Sequence, residues 1–486
     1  MLRQSAALLT PSALTIHVYA TPISAVGRGL SVPPAIMRTR ALRRIVTTTT
    51  ATDPGQMDMA KVARVDPRLR WGQANVHCND AVQASLQGQT VEVVSEVPRL
   101  TGVELFAGAG GLALGAQKAG FTSLATLEWN RWACDTIREN KAAGHELVKD
   151  WHVHQGDLRD FDWALIDQDV DLVSGGPPCQ PFSAGGHGKS VDDERDMFPA
   201  TAEVLAQLRP KAFLIENVRG LTRAAFADYY EYVLRRLATP ELKVKRNETW
   251  FDHLLRLRKA TARNTLHYNV FPTLLDAADF GVPQQRHRVF MVGFRSDLGI
   301  EWTFPDPTHS HEALVRDQWV TGEYWDRHEV AKSKRPVRPS GALIARAARL
   351  AETEHPWATL RDALRGLPDP RTKAAAAWRN HNFQPGARSY KGHTGSVLDL
   401  PAKTLKAGGH GVPGGENMIR FHDNSVRYLT VRESARVQTF PDDYELHGAW
   451  GEAMRQLGNA VPVDLAEIVA RQARLGLLSI SKEGAR

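Results

Sequence analysis

The sequence predicts an α/β fold: a largely parallel sheet covered on both faces by helices, followed by a smaller irregular region. Three observations predict it. From Gly102 onward short apolar runs alternate with helical patterns, each closed by Gly, Pro, Asp or Asn, and such alternation builds βα units around a parallel sheet. Polar motifs fall where the runs end, which is where ligands of these sheets bind. Residues 301–425 break the alternation, being rich in Pro, Gly, His and Arg with few long apolar runs.

Taken in order, residues 1–95 show four consecutive threonines from Thr47 to Thr50, scattered prolines and no clear periodicity. Residues 1–50 hold six arginines and no Asp or Glu. A transit peptide has that composition; so does a disordered arm, or translated upstream DNA with Met57 or Met59 as the start. The extension is expected to be disordered or dispensable for catalysis. Runs at 103–106, 124–127, 170–173, 212–215 and 289–292 read as buried strands, with a further strand before Asp157. Residues 112–118, 132–140, 200–208 and 229–237 read as the intervening helices. Residues 456–478 return to an amphipathic helix, 463–475, preceded by Gly458-Asn459-Ala460-Val461-Pro462. The expected organisation is an extension at 1–95, a core at 96–300, an irregular domain at 301–425 and a segment at 426–486 that rejoins the core.

Composition narrows the function classes. The 486 residues suffice for two or three domains. No run of eighteen apolar residues occurs, so no membrane span is expected. The three cysteines, Cys78, Cys134 and Cys179, form no C-x-x-C pair. That argues against a zinc site or a disulfide framework and suits a reducing compartment. The net charge of +7 is unevenly spread. Residues 331–410 hold fifteen Lys or Arg against five Asp or Glu, whereas the chain outside this segment and residues 1–50 sums to about −9. A local basic patch is what phosphate neutralisation requires; a solvated linker looks the same from charge alone.

The motifs carry more. Phe106-Ala107-Gly108-Ala109-Gly110-Gly111 follows a strand and opens a helix. Glycines there admit a ligand to the backbone, and the helix N-terminus offers free N–H groups. Glu128, twenty residues past Gly108, can accept hydrogen bonds from ribose hydroxyls, as in a dinucleotide-binding enzyme. Asp157 can hold an adenine amino group or cap a turn. In Gly175-Gly176-Pro177-Pro178-Cys179-Gln180-Pro181-Phe182-Ser183 a lone cysteine sits on a stiff proline turn after a buried strand. A structural cysteine more often lies within an apolar run, so this one reads as a nucleophile. Glu216-Asn217-Val218 puts a carboxyl at the next strand's end, suited to acid work. Arg286 and Arg288 share one side of an extended segment, where two guanidiniums can fix a base carbonyl and buttress a carboxylate.

In this order these motifs, with Arg427-x-Leu429-Thr430-x-Arg432-Glu433-x-Ala435-Arg436-x-Gln438-x-Phe440-Pro441 and Gln456-x-Gly458-Asn459-Ala460-Val461-Pro462, resemble those of the DNA cytosine-5 methyltransferase family, in the unpermuted order of the bacterial restriction-modification enzymes. The resemblance runs from about residue 100 to 478. It implies a Rossmann-like S-adenosylmethionine-dependent methyltransferase core with a smaller irregular target recognition domain at 301–425. It also implies double-stranded DNA as substrate, a flipped target cytosine, no metal, a monomer in the bacterial cytoplasm, and a cognate restriction endonuclease. By the resemblance Cys179 adds to carbon 6 of cytosine. Glu216 serves nitrogen 3, Arg288 with Arg286 binds the carbon 2 carbonyl and buttresses the acid, and Gln180, Ser183 and Arg195 close over the DNA. S-adenosylmethionine falls to Phe106, Gly108, Gly110, Gly111, Glu128, Trp129, Asp157, Pro178, Asn459 and Val461. Pro401-Ala402-Lys403-Thr404-Leu405 resembles a short family turn in which Thr404 steadies a phosphate. Rival readings are an RNA methyltransferase of the same family, a catalytically dead binding module, and a nicotinamide-dependent enzyme, which the later motifs leave unsupported.

Overall fold

The computed structural model describes residues 99–178, 196–260, 265–351, 353–407 and 417–483. Its central sheet contains β1 (Leu100–Leu105), β2 (Phe121–Glu128), β3 (Val153–Gln155), β4 (Leu172–Gly175), β5 (Ala212–Val218), β6 (Tyr268–Asp276) and β7 (His287–Arg295). The strand order is β3-β2-β1-β4-β5-β7-β6. The first five strands pair in parallel, while β7 runs antiparallel to both β5 and β6.

Alternation along each strand divides the core into two layers, because successive side chains point to opposite faces. Phe213 and Ile215 of β5 enter one layer with Val103, Leu105, Phe198, Val204, Tyr229, Tyr232 and Leu254. Helices α1 (Gly111–Lys118), α2 (Arg131–Ala142), α3 (Phe198–Leu208), α4 (Ala227–Ala238) and α5 (Trp250–Lys259) surround the sheet, and α3 to α5 supply that first layer. Ala212 and Leu214 enter the opposite layer with Leu112, Leu172, Leu465 and Val469. Fully burying each such aliphatic or aromatic side chain contributes ~1.5–3 kcal/mol. Three C-terminal helices follow: α6 (Val431–Val437), α7 (Trp450–Asn459) and α8 (Val463–Glu483). Helix α8 closes on α1 so tightly that a Cβ on Gly115 would stand 2.4 Å from Ala466 Cβ.

Between β7 and α6 the chain forms only short pieces. His309–Ser310 pairs with His355–Pro356, and Ser396–Val397, Met418–Arg420 and Val426–Tyr428 make a three-stranded patch. Tyr324, Trp325, Leu314 and Val330 form one small core there. Leu360, Ala402, Leu405, Ile419 and Leu429 form another, which also takes in Val437 of α6. The stretch around Ala402 is stitched to the segment before β7. Ala402 N donates to Pro283 O at 2.9 Å, and Gln285 N donates to Ala402 O at 2.9 Å.

The expected strands are present, with two differences. β6 was not foreseen: it is an edge strand with a half-exposed pattern and Pro272 in its middle, a residue an edge tolerates because one row of N–H groups faces away from the ladder. Phe106 closes no strand; it turns out of β1 at φ 55. No helix among the described residues is long and apolar enough to cross a membrane.

Candidate active site

The loop after β1 is shaped by positive φ angles: 55° at Phe106, 56° at Gly108 and 93° at Gly110. Gly110 caps α1, whose first N–H groups face outward from the sheet end. A Cβ on Gly108 would meet nothing within 4 Å, so this backbone borders open space. At the end of β2 the Glu128 carboxylate grips the loop: Oε2 accepts from Gly108 N at 2.7 Å and Oε1 from Asn130 N at 2.7 Å. Burial pushes the Glu128 carboxyl up, and those backbone bonds pull it back. Trp129 beside it is 76% exposed, an unusual state for a large aromatic ring and one suited to a flat ligand. Asp157 follows β3 and caps the turn at Leu158–Asp160, with Arg159 holding both of its carboxylate oxygens. That ion pair lowers the Asp157 pKa.

The loop after β4 starts one strand away. Asn217 Nδ2 donates to Pro177 O at 3.1 Å and so ties this loop to the end of β5. Pro178 is exposed at its edge. Cys179, Gln180, Ser183 and Arg195 lie outside the described residues. Glu216, next to Asn217, is buried, and a Cβ on Gly176 would stand 3.2 Å from Glu216 Oε2. Arg288 Nε lies 2.7 Å from Glu216 Oε1, yet neither atom has a well-aligned hydrogen bond among the described residues. Burial pushes the Glu216 carboxyl up, and the positive fields of Arg288 and Arg286 oppose the rise. The result is a buried carboxyl under opposing influences, with a guanidinium at its back.

Residues 284–288 also anchor distant parts of the chain. Arg286, fully buried, donates to Leu405 O at 2.9 Å and to Gly458 O at 2.7 Å. Gln284 accepts from Leu405 N at 2.9 Å and donates to Gln438 Oε1 at 3.0 Å. Gln438 donates in turn to the carbonyls of Leu457 and Ala460. Thr404 Oγ1 donates to Gln285 O at 2.7 Å. Asn459 is exposed at the end of α7, and Val461 is buried against α1. Tyr444 reaches back to the first loop, donating to Ala109 O at 2.9 Å.

Residues 100–474 match the family C-5 cytosine-specific DNA methylase. Type II methyltransferase M.PspPI of Psychrobacter sp. (strain TA137) is 32% identical over 375 residues, which cover 76% of this chain and 77% of that protein. Type II methyltransferase M.Eco47II of Escherichia coli is 32% identical over 382 residues, covering 76% and 78%. Type II methyltransferase M.NgoMIV of Neisseria gonorrhoeae is 30% identical over 381 residues, covering 77% and 97%. The chain belongs to the C-5 cytosine-specific DNA methylase family. It is a DNA cytosine-5 methyltransferase, and its methyl donor is S-adenosylmethionine.

The structure gives two residues of the expected DNA methylase site a further task in the fold. Arg286, expected beside Arg288 at a base carbonyl, also anchors distant backbone. Its terminal nitrogens donate to Leu405 O and Gly458 O, and its field opposes the rise at Glu216. Gly111 packs closely: a Cβ there would stand 2.3 Å from Val461 O. Other residues were passed over in the sequence. Asn217, Gln284 and Gln438 lay inside recognised motifs, but only the folded contacts reveal their tasks. Tyr444 and Trp151 flank Gly110, and no local signal marked them.

Proposed function

We propose that this methyltransferase acts through a covalent adduct between Cys179 and carbon 6 of a flipped cytosine in double-stranded DNA. The observation that carries the reading is the Glu216–Arg288 pair, 2.7 Å apart and buried beside Gly176 of the Cys179 loop. Cytosine carbon 5 is too weak a nucleophile to take a methyl group unaided. The Cys179 thiolate bonds to carbon 6 while Glu216 gives nitrogen 3 its proton, so the ring becomes an enamine. Arg288 neutralises the carboxylate that remains. S-adenosylmethionine, when bound, supplies the electrophilic methyl group that carbon 5 takes up. Loss of the carbon 5 proton then expels the thiolate, and return of the nitrogen 3 proton to Glu216 restores the neutral ring and the acid. Extracting the base from the stack costs roughly a few kcal/mol.

For the donor, open space at Gly108, the Glu128 carboxylate and the exposed Trp129 ring fit a methionine tail, a ribose and an adenine. Phe106, Gly110, Asp157, Pro178, Asn459 and Val461 complete the pocket in this reading. Residues 301–425 act as the target recognition domain, with Thr404 near the phosphate of the flipped base and Gln180, Ser183 and Arg195 closing over the DNA. By analogy with its type II relatives the enzyme protects DNA from a cognate endonuclease, as a monomer in the bacterial cytoplasm.

DNA carrying 5-fluorocytosine at the target tests the adduct, because fluorine cannot leave as a proton and elimination stalls. Wild-type enzyme should be trapped, and Cys179→Ala should neither trap nor methylate while still binding S-adenosylmethionine. Trapping that survives Cys179→Ala would sink the proposal.

A further inference from the structure

Glu104 is a buried acid that the reaction leaves unused. Glu104 of β1 and Ser174 of β4 are direct partners in the parallel register, and Ser174 Oγ donates to Glu104 Oε2. One residue on, the strands press together: a Cβ on Gly175 would stand 2.7 Å from Leu105 O. Two residues past Glu104 the chain enters the Phe106 loop, and two past Ser174 it enters the Gly176–Pro178 loop. The strands that carry the donor side and the nucleophile side of the site are therefore joined by a side-chain bond just before they separate.

Glu104 also borders a cavity of about 20 Å³ beneath α1, walled by Ala113, Gln117, Ser123 and Trp151, which is room for one water. The polar groups facing the carboxyl are Gln117 from α1, Ser123 from β2, Ser174 from β4 and Trp151 from the segment before β3. None of them is an acid or a cation, so Glu104 is the only acid or base on this wall among the described residues.

We propose that Glu104 and Ser174 form a positioning clamp that sets the spacing between the donor-side loop and the nucleophile-side loop. The clamp is proton-dependent. Burial pushes the Glu104 carboxyl up to about 8, with the Ser174 bond only partly opposing the rise. A carboxylate formed here has no counter-charge on the cavity wall, so ionisation draws in water or parts the strands. Because the ordinary value is 4.5, the folded chain binds more protons than the unfolded chain between pH 4.5 and about 8. Stability therefore falls as pH rises through that window and levels off above it. The transfer rate should fall as pH passes about 8, since a misplacement of ~1 Å can cost ~10²-fold in rate.

The test is single-turnover methyl transfer, with saturating DNA and donor, measured across this pH range beside thermal unfolding. Glu104→Gln keeps the acceptor for Ser174 and cannot ionise. It should match the wild-type rate at neutral pH, lack the alkaline fall in rate and lack the decline in Tm. Ser174→Ala removes the clamp without changing size. It should lose roughly tenfold to a hundredfold in rate with donor affinity unchanged, and it keeps the test decisive should Glu104→Gln fold poorly. An alkaline fall of equal size in Glu104→Gln, or a wild-type rate in Ser174→Ala, overturns the clamp.

Discussion

Glu216 illustrates how one side chain is set for its task by opposing forces. Burial favours the protonated carboxyl, while the guanidiniums of Arg288 and Arg286 favour the carboxylate. Glu216→Gln keeps the shape and a donor toward nitrogen 3 but removes the transferable proton. Its rate of methyl transfer should fall ~10²–10⁴-fold with donor affinity nearly unchanged, as equilibrium binding of S-adenosylmethionine can check. A change below tenfold would remove Glu216 from the chemistry. A second residue-scale prediction concerns Gly111. Its Cβ would stand 2.3 Å from Val461 O, a backbone atom that cannot swing away. Gly111→Ala should therefore cost ~1–3 kcal/mol in stability by overpacking, read by urea unfolding. An unchanged midpoint would show that α1 can shift. At this scale the sequence was informative about which residues matter and poor about how. Glu128 and Glu216 stood out because acids at parallel strand ends are exposed to ligands. Gly111 looked like Gly108, and only the approach of Val461, some 350 positions away by the numbering, shows that its lack of a side chain is needed for packing.

Between elements the decisive connection is the polar network of Gln284, Arg286 and Gln438. It ties the start of β7 to the Leu405 turn and to the α7–α8 junction. All three side chains are fully buried, so each bond lost strands a polar group at ~1–3 kcal/mol. Arg286→Lys keeps the charge but not the planar fork that reaches two carbonyls at once. It should lower Tm and raise KM for both DNA and S-adenosylmethionine, because one end of the network supports each. A rise confined to DNA would show that the Gly458 arm is idle. The strands of this sheet were legible wherever both faces are buried, since β4 and β5 begin with apolar residues and are buried along almost their whole length. β6 was missed because an edge strand carrying Pro272 loses that signature, whereas the three-residue β3, expected before Asp157, is too short to show a period of its own. The antiparallel placing of β7 beside β5 is a matter of topology that no local pattern encodes.

Over the whole molecule, the seam between the sheet core and the irregular region decides whether recognition can be separated from chemistry. The basic count of residues 331–410 overstates the charge facing outward. Arg346 pairs with Glu312, Arg361 with Asp399, Arg371 with Asp369 and Arg379 with Glu445. Lys332, Lys334, Arg338 and Arg349 remain exposed and could meet phosphates, a contact that salt should weaken. Part of the seam is main chain. Ala402 exchanges backbone bonds with Pro283 and Gln285, and Leu405 offers its N–H to Gln284 and its carbonyl to Arg286. Backbone atoms are supplied by any residue that adopts the same turn. Side chains cross the seam as well: Trp357 Nε1 donates to Asp279 Oδ1, Thr404 Oγ1 to Gln285 O, Asn380 Nδ2 to Leu446 O, and Arg436 to the carbonyls of Ala363 and Arg365. Replacing residues 301–425 with the matching region of a type II relative should therefore leave methyl transfer intact and carry over the relative's sequence preference, because Glu216 and Arg288 lie outside the exchanged stretch. Bisulfite sequencing of DNA from cells expressing the hybrid reads both outcomes at once. Methylation persisting at the original site would place recognition elsewhere in the chain, and a folded but inactive hybrid would show that the seam depends on more than its main-chain bonds.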